Sequence, residues 1–87
     1  MVSAKTKIIN PMGMHMRPAN LFIKEMTPFQ SDVTILFNGK TINGKSIMNL
    51  MAACMKQGSE IEIQCSGPDE EEALKAAVAF VEAGLGE

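Results

Sequence analysis

No apolar run in this 87-residue chain approaches the roughly 18 residues that a membrane-spanning helix requires. The opening Met1-Val2-Ser3-Ala4-Lys5 lacks the charged start and apolar core of a secretion signal. Cysteine is scarce: Cys54 and Cys65 stand well apart and form no CxxC. That excludes a disulfide framework or a cysteine-based redox or metal motif, and a cytoplasmic chain with free, reduced thiols is expected. Basic excess is also missing. Lys and Arg number 8 against 10 Asp and Glu, a net charge of −2, so no nucleic-acid surface is expected. Repeats, linkers and low-complexity stretches are absent, and residues 1–87 read as one domain. No cofactor is expected, and no metal is expected on the main reading of the residues.

Histidine occurs once, and the stretch around it, Gly13-Met14-His15-Met16-Arg17-Pro18-Ala19, is the most informative in the chain. Pro18 suits a first helical turn, where its missing N–H has no intrahelical partner to lose. Ala19, Phe22, Ile23 and Met26 then recur at amphipathic helical spacing. His15 therefore stands at or just before a helix N-terminus. Such an end presents N–H groups and partial positive charge, and so attracts anions. A neutral imidazole there offers a nitrogen lone pair as nucleophile. Arg17 adds a planar, permanently charged fork that fits phosphate oxygens. Together these residues point to a phosphoryl group carried on imidazole.

In chain order, Val2 to Ile9 reads as a strand with Val2, Ala4, Thr6 and Ile8 on one face. Asn10-Pro11-Met12-Gly13 breaks it. A helix runs from Met16 to about Thr27, stopped by Pro28. Val33, Ile35 and Phe37 alternate along a second strand, and Asn38-Gly39 signals a tight hairpin into a third over Lys40 to Asn43. Ser46 is a good N-cap for a short helix ending near Met55 and closed by Gln57-Gly58. Glu60 to Ser66 alternates as a fourth strand. Asp69 and Glu72 have capping-box spacing at the start of a last helix, with Leu74, Val78, Val81 and Leu85 as its buried stripe. The order β-α-β-β-α-β-α, with hairpins and half-polar strands, predicts an α+β open-faced sandwich: a four-stranded antiparallel sheet with three helices on one face.

The motif around His15, together with Asn38-Gly39-Lys40, Lys45-Ser46-Ile47-Met48 and Gln57-Gly58 on this element order, resembles the HPr family. These are histidine-containing phosphocarriers of the bacterial phosphoenolpyruvate:sugar phosphotransferase system. The resemblance covers essentially the whole chain. It implies a monomeric stoichiometric carrier rather than an enzyme. His15 would accept a phosphoryl group on Nδ1 from enzyme I and pass it to the IIA unit of a sugar permease. Arg17, with Met16 and Pro18, would steady the phosphate. Ser46 matches the serine that a regulatory kinase phosphorylates in many Gram-positive bacteria, which brings in a kinase or phosphatase and a transcription regulator as further partners. Met14, Met16, Asn20, Ile47, Met48 and Met51 would form the partner interface, where flexible methionine suits several partners in turn. The chain departs from the family pattern at Met16 and Asn20, where small residues are usual, and at Ala53-Cys54 in place of a frequent Leu-Gly.

Two other readings remain open on the residues. Met12, Met14, His15 and Met16 cluster soft ligands that select Cu(I), although Arg17 beside them opposes a cation. A purely regulatory relative, acting through phosphorylated Ser46, would keep the fold and drop the transfer.

Overall fold

The computed structural model describes residues 1–86. Its elements are β1 (Val2–Lys7), α1 (Met16–Met26), β2 (Asp32–Phe37), β3 (Lys40–Asn43), α2 (Ile47–Ala52), β4 (Glu60–Ser66) and α3 (Glu70–Glu82). The predicted element order holds. The four strands form one antiparallel sheet in the order β1-β4-β2-β3, so β4, the last strand made, inserts between β1 and β2. The last residue of the domain expected over 1–87, Glu87, lies outside the described residues.

Alternation sets the two faces of the sheet. Val33, Ile35, Ile61, Ile63 and Cys65 are buried beneath the helices. The opposite face carries Lys5 across from Glu62 and Lys7 across from Glu60, cross-strand pairs of opposite charge. Asn38 and Gly39 both have positive φ, 50° and 75°, as a type I′ hairpin turn requires. Phe22 of α1 and Phe80 of α3 approach with ring centroids 6.3 Å apart, joining the two longer helices over the core.

Three sequence expectations are corrected. The buried stripe of α3 is Ala73, Ala77 and Val81, with Leu74 and Val78 only half-buried beside it. Alanine lets the helix lie close on the sheet, and the larger side chains fill its margins. The second helix ends at Ala52, not near Met55, and Cys54 rather than Gly58 adopts the left-handed conformation that closes it (φ 55°). A non-glycine residue there is strained by about 1 kcal/mol or more.

The third concerns Asp69. It stands at the N-cap of α3 but makes no side-chain bond to its own helix. Its carboxylate instead accepts from the Gln30 N–H at 2.9 Å, from the Ser31 N–H at 2.9 Å and from the Ser31 hydroxyl. It thus clamps the turn that leads into β2, and the capping box does not form. The Ser31 hydroxyl and the Gln30 N–H hold the Asp69 carboxyl below its ordinary range. Glu70 accepts from the Gly67 N–H at 3.1 Å and pairs with the N-terminal ammonium at 3.2 Å, and these contacts lower its carboxyl too. Burial pushes the Cys65 thiol up, so it stays protonated as a small core residue.

Candidate functional site

The loop between β1 and α1 is held against the segment that follows α2. The Gly58 N–H donates to the Ile8 carbonyl at 2.7 Å, and the Ile8 N–H to the Ser59 carbonyl at 2.9 Å. Gln57 Nε2 donates to the Ile9 carbonyl at 3.0 Å. The Met14 N–H donates to the Met55 carbonyl at 2.8 Å. Within the loop, buried Asn10 donates from Nδ2 to the Gly13 carbonyl at 2.7 Å and accepts from the Gly13 N–H through its own carbonyl at 3.0 Å.

Gly13 is required where it stands. Its φ is +67°, and a Cβ there would lie 2.4 Å from the Met55 oxygen and 2.8 Å from Lys56 Cα. The two backbones meet with no room for a side chain. This fixes the chain immediately before the histidine.

His15 is the N-cap residue of α1, with extended backbone (φ −97°, ψ −168°) and a half-exposed side chain. Its carbonyl accepts the first helical bond, from the Ala19 N–H at 3.0 Å. Its side chain makes no capping bond to the helix, and the first turn contains no acidic residue. Pro18 has no N–H and the Ala19 N–H is committed to His15, so Met16 and Arg17 supply the N–H groups at the tip. The helix dipole adds partial positive charge at the same point. Imidazole, exposed guanidinium and helix N-terminus therefore meet within three consecutive residues.

The expected interface residues divide. Met16 is 60% exposed, Met48 78% and Met51 37%. Asn20 is exposed and Ile47 half-buried against the core. Met14 is corrected: at 4% exposure its side chain fills the core and offers nothing to a partner. Its burial also divides the soft-ligand cluster, because Met12 and Met16 point to solvent while Met14 points inward. Among the described residues no group of His, Cys, Asp or Glu assembles a metal site.

Ser46 is the N-cap of α2, as expected. Its hydroxyl accepts from the Asn49 N–H at 3.4 Å, a long bond, and from Asn49 Nδ2 at 2.9 Å. Lys45 beside it donates from Nζ to the Phe29 carbonyl at 2.7 Å.

Sequence reasoning missed two things. Met55 serves through its backbone carbonyl, which no residue type announces. Charge, by contrast, left a readable signal. No Asp or Glu occurs in residues 1–24 or 33–59, which contain Lys5, Lys7, Arg17, Lys24, Lys40, Lys45 and Lys56. Acidic residues are thus absent from the loop into α1 and from β3 and α2, and Lys45 and Lys56 flank α2 on either side.

Residues 2–83 match the family model described as the PTS HPr component phosphorylation site. The HPr-like protein Crh of Bacillus subtilis is 40% identical over 82 residues, covering 94% of this chain and 96% of the relative. The phosphocarrier protein HPr of Mycoplasma capricolum is 46% identical over 69 residues, covering 79% of this chain and 78% of the relative. Among solved structures, HPr-C-His of Thermoanaerobacter tengcongensis superposes with a TM-score of 0.95 at 38% identity, covering 100% and 98% of the two chains. A structure described as an HPr dimer from the same organism gives 0.78 at 38% identity, with full coverage of both chains. The motif at His15, the sheet order and these likenesses agree: the chain belongs to the HPr family of phosphotransferase-system phosphocarriers.

Proposed function

We propose that this protein is a stoichiometric phosphoryl carrier in which His15 accepts the group from enzyme I, itself charged by phosphoenolpyruvate, and yields it to IIA units of sugar permeases. It acts in the cytoplasm, as one domain over residues 1–87, and turns over nothing by itself. The observation that carries the reading is the N-terminus of α1: a histidine at the N-cap, Arg17 in the first turn, and no acidic residue in that turn. Such an end accommodates an incoming dianion.

The roles follow from chemistry. The Nδ1 lone pair attacks phosphorus, the N–P bond forms as the donor's bond breaks, and the donor nitrogen keeps the electron pair. Arg17 offsets charge on the equatorial oxygens as the group arrives and leaves. Met16 contributes its N–H, and Pro18 presets the turn that presents it. Met16, Asn20, Ile47, Met48 and Met51 meet the partner, whose docking surface is acidic to match Arg17 and Lys24 of α1 and the lysines that flank α2. The carrier works as a monomer. Because a related HPr is described as a dimer, light scattering at working concentration is the check on that part.

Incubation with enzyme I and labelled phosphoenolpyruvate tests the reading. One acid-labile, base-stable label per chain is expected, absent from His15→Ala. A label that survives that substitution would refute it.

The likeness to Crh favours a second, regulatory role through Ser46, with a kinase or phosphatase and a transcription regulator as partners. The hydroxyl's bond to the α2 backbone is long and its shorter bond is to the exposed Asn49 side chain, so a phosphate there disturbs α2 little and acts at the surface. Ser46→Asp should keep its helical circular dichroism while His15 is phosphorylated more slowly, and high salt should partly restore the rate. A purely regulatory protein would take label on Ser46 from a kinase and none on His15 from enzyme I.

A further inference from the structure

Apart from Met1, the chain's 8 methionines fall into two sets. Met14, Met26 and Met55 are buried, at 4%, 0% and 2% exposure. Met12, Met16, Met48 and Met51 lie at the surface, at 71%, 60%, 78% and 37%. With Met1 and Ile9 they make up the exposed large hydrophobic residues of the described chain. Met16 directly follows His15, Met12 lies in the same loop, and the other two lie on α2, which packs against α1. The exposed large apolar side chains of α1, of the loop before it and of α2 are therefore mostly thioethers, the side chain that two-electron oxidants convert most readily after thiolates.

We propose that Met16 and Met48 are sites of reversible oxidation by a peroxide, and that this oxidation slows phosphoryl transfer to His15. The proposal rests on the phosphocarrier reading above. In the step, a sulfur lone pair attacks one peroxide oxygen and the O–O bond breaks. The sulfur is oxidised by two electrons to the sulfoxide, and the departing hydroxide takes up the remaining proton as water. The product turns a flexible apolar contact into a polar one whose oxygen carries partial negative charge. At Met16, next to His15 in sequence, that oxygen stands beside the arriving phosphoryl group, and at Met48 it replaces the apolar contact that the proposed partner would make. Methionine sulfoxide reductases undo the change.

Hydrogen peroxide is the probe. Peptide mass spectrometry should show Met16 and Met48 converted about tenfold faster than buried Met14, Met26 and Met55. With both converted, the initial rate of His15 labelling by enzyme I should fall about tenfold and recover after treatment with the reductases. The double variant Met16→Leu, Met48→Leu, compared with its own untreated rate, should resist peroxide. Dithiothreitol separates this from the exposed thiol of Cys54, since it reverses sulfenic acids and disulfides but not sulfoxides. An unchanged rate with both methionines oxidised, sensitivity retained in the double variant, or rescue by dithiothreitol would each overturn the proposal. Failure of the untreated protein to take label would instead refute the phosphocarrier reading, and the sulfoxide map would still decide whether the two methionines are selected.

Discussion

The N-termini of α1 and α3 carry the same partial positive charge of the helix dipole, and the chain treats them in opposite ways. At α3 it supplies its own anions: Glu70, Glu71 and Glu72 occupy the first turn, behind Asp69. At α1 the first turn holds no acid and begins instead with His15, Met16 and Arg17. Carboxylates near such an end are stabilising, so α1 forgoes stability that α3 collects. On the function proposed above, the difference separates a helix end finished by folding from one kept for a group that comes from outside. Rigidity follows the same division. The loop leading into α1 is pinned to residues 55–59 through backbone contacts, so its open end is nonetheless held in one geometry.

The largest expected effect comes from unpinning that loop. Gly13→Ala places a Cβ against the Met55 carbonyl in a left-handed conformation, and should destabilise the protein by about 2–3 kcal/mol. Chemical denaturation measures this, and a loss under 0.5 kcal/mol would show that the loop is not held as described. Next is Arg17→Lys, which keeps the charge and loses the fork. His15 labelling should slow about tenfold with Tm nearly unchanged. Equal rates would leave the guanidinium without a role.

Met16→Glu makes α1 resemble α3. It should stabilise the helix by about 0.3–1 kcal/mol while slowing phosphorylation of His15, so that Tm and transfer rate move in opposite directions. If both fall, the end of α1 was not being kept open. The smallest effect is a slope. The Asp69 carboxyl is held below its ordinary 3.8 in the folded chain. Its contribution is therefore complete above the unfolded value and fades as pH falls through the lowered native one. Asp69→Asn should lower Tm at neutral pH and flatten its decline in acid, whereas parallel Tm curves would deny the clamp on Ser31.

Much of this was legible beforehand. The element order, the hairpin at Asn38-Gly39 and the position of His15 at the start of α1 follow from periodicity and punctuation. These are local signals, and local geometry decides them. What escaped was long-range. Asp69 and Glu72 have the spacing of a capping box, yet Asp69 bonds to Gln30 and Ser31 in a distant turn, which only the fold brings near. Met14 looked like surface because it adjoins His15, but its N–H is drawn to Met55 and its side chain follows inward. Leu74 and Val78 looked like the face of α3 because they are larger than the alanines that lie closest to the sheet. Cys54 shows the reverse: its departure from glycine was visible, but that it keeps a glycine-like φ was not.

The central claim is that the end of α1 receives the phosphoryl group on His15. Nuclear magnetic resonance of the chain before and after charging by enzyme I and phosphoenolpyruvate tests it most directly. The account predicts phosphorus coupled to His15 Nδ1 and downfield movement of the Met16 and Arg17 amide protons, with the first turn of α3 unmoved. Phosphorus on any other atom, or Met16 and Arg17 amides that do not respond to it, would contradict the account.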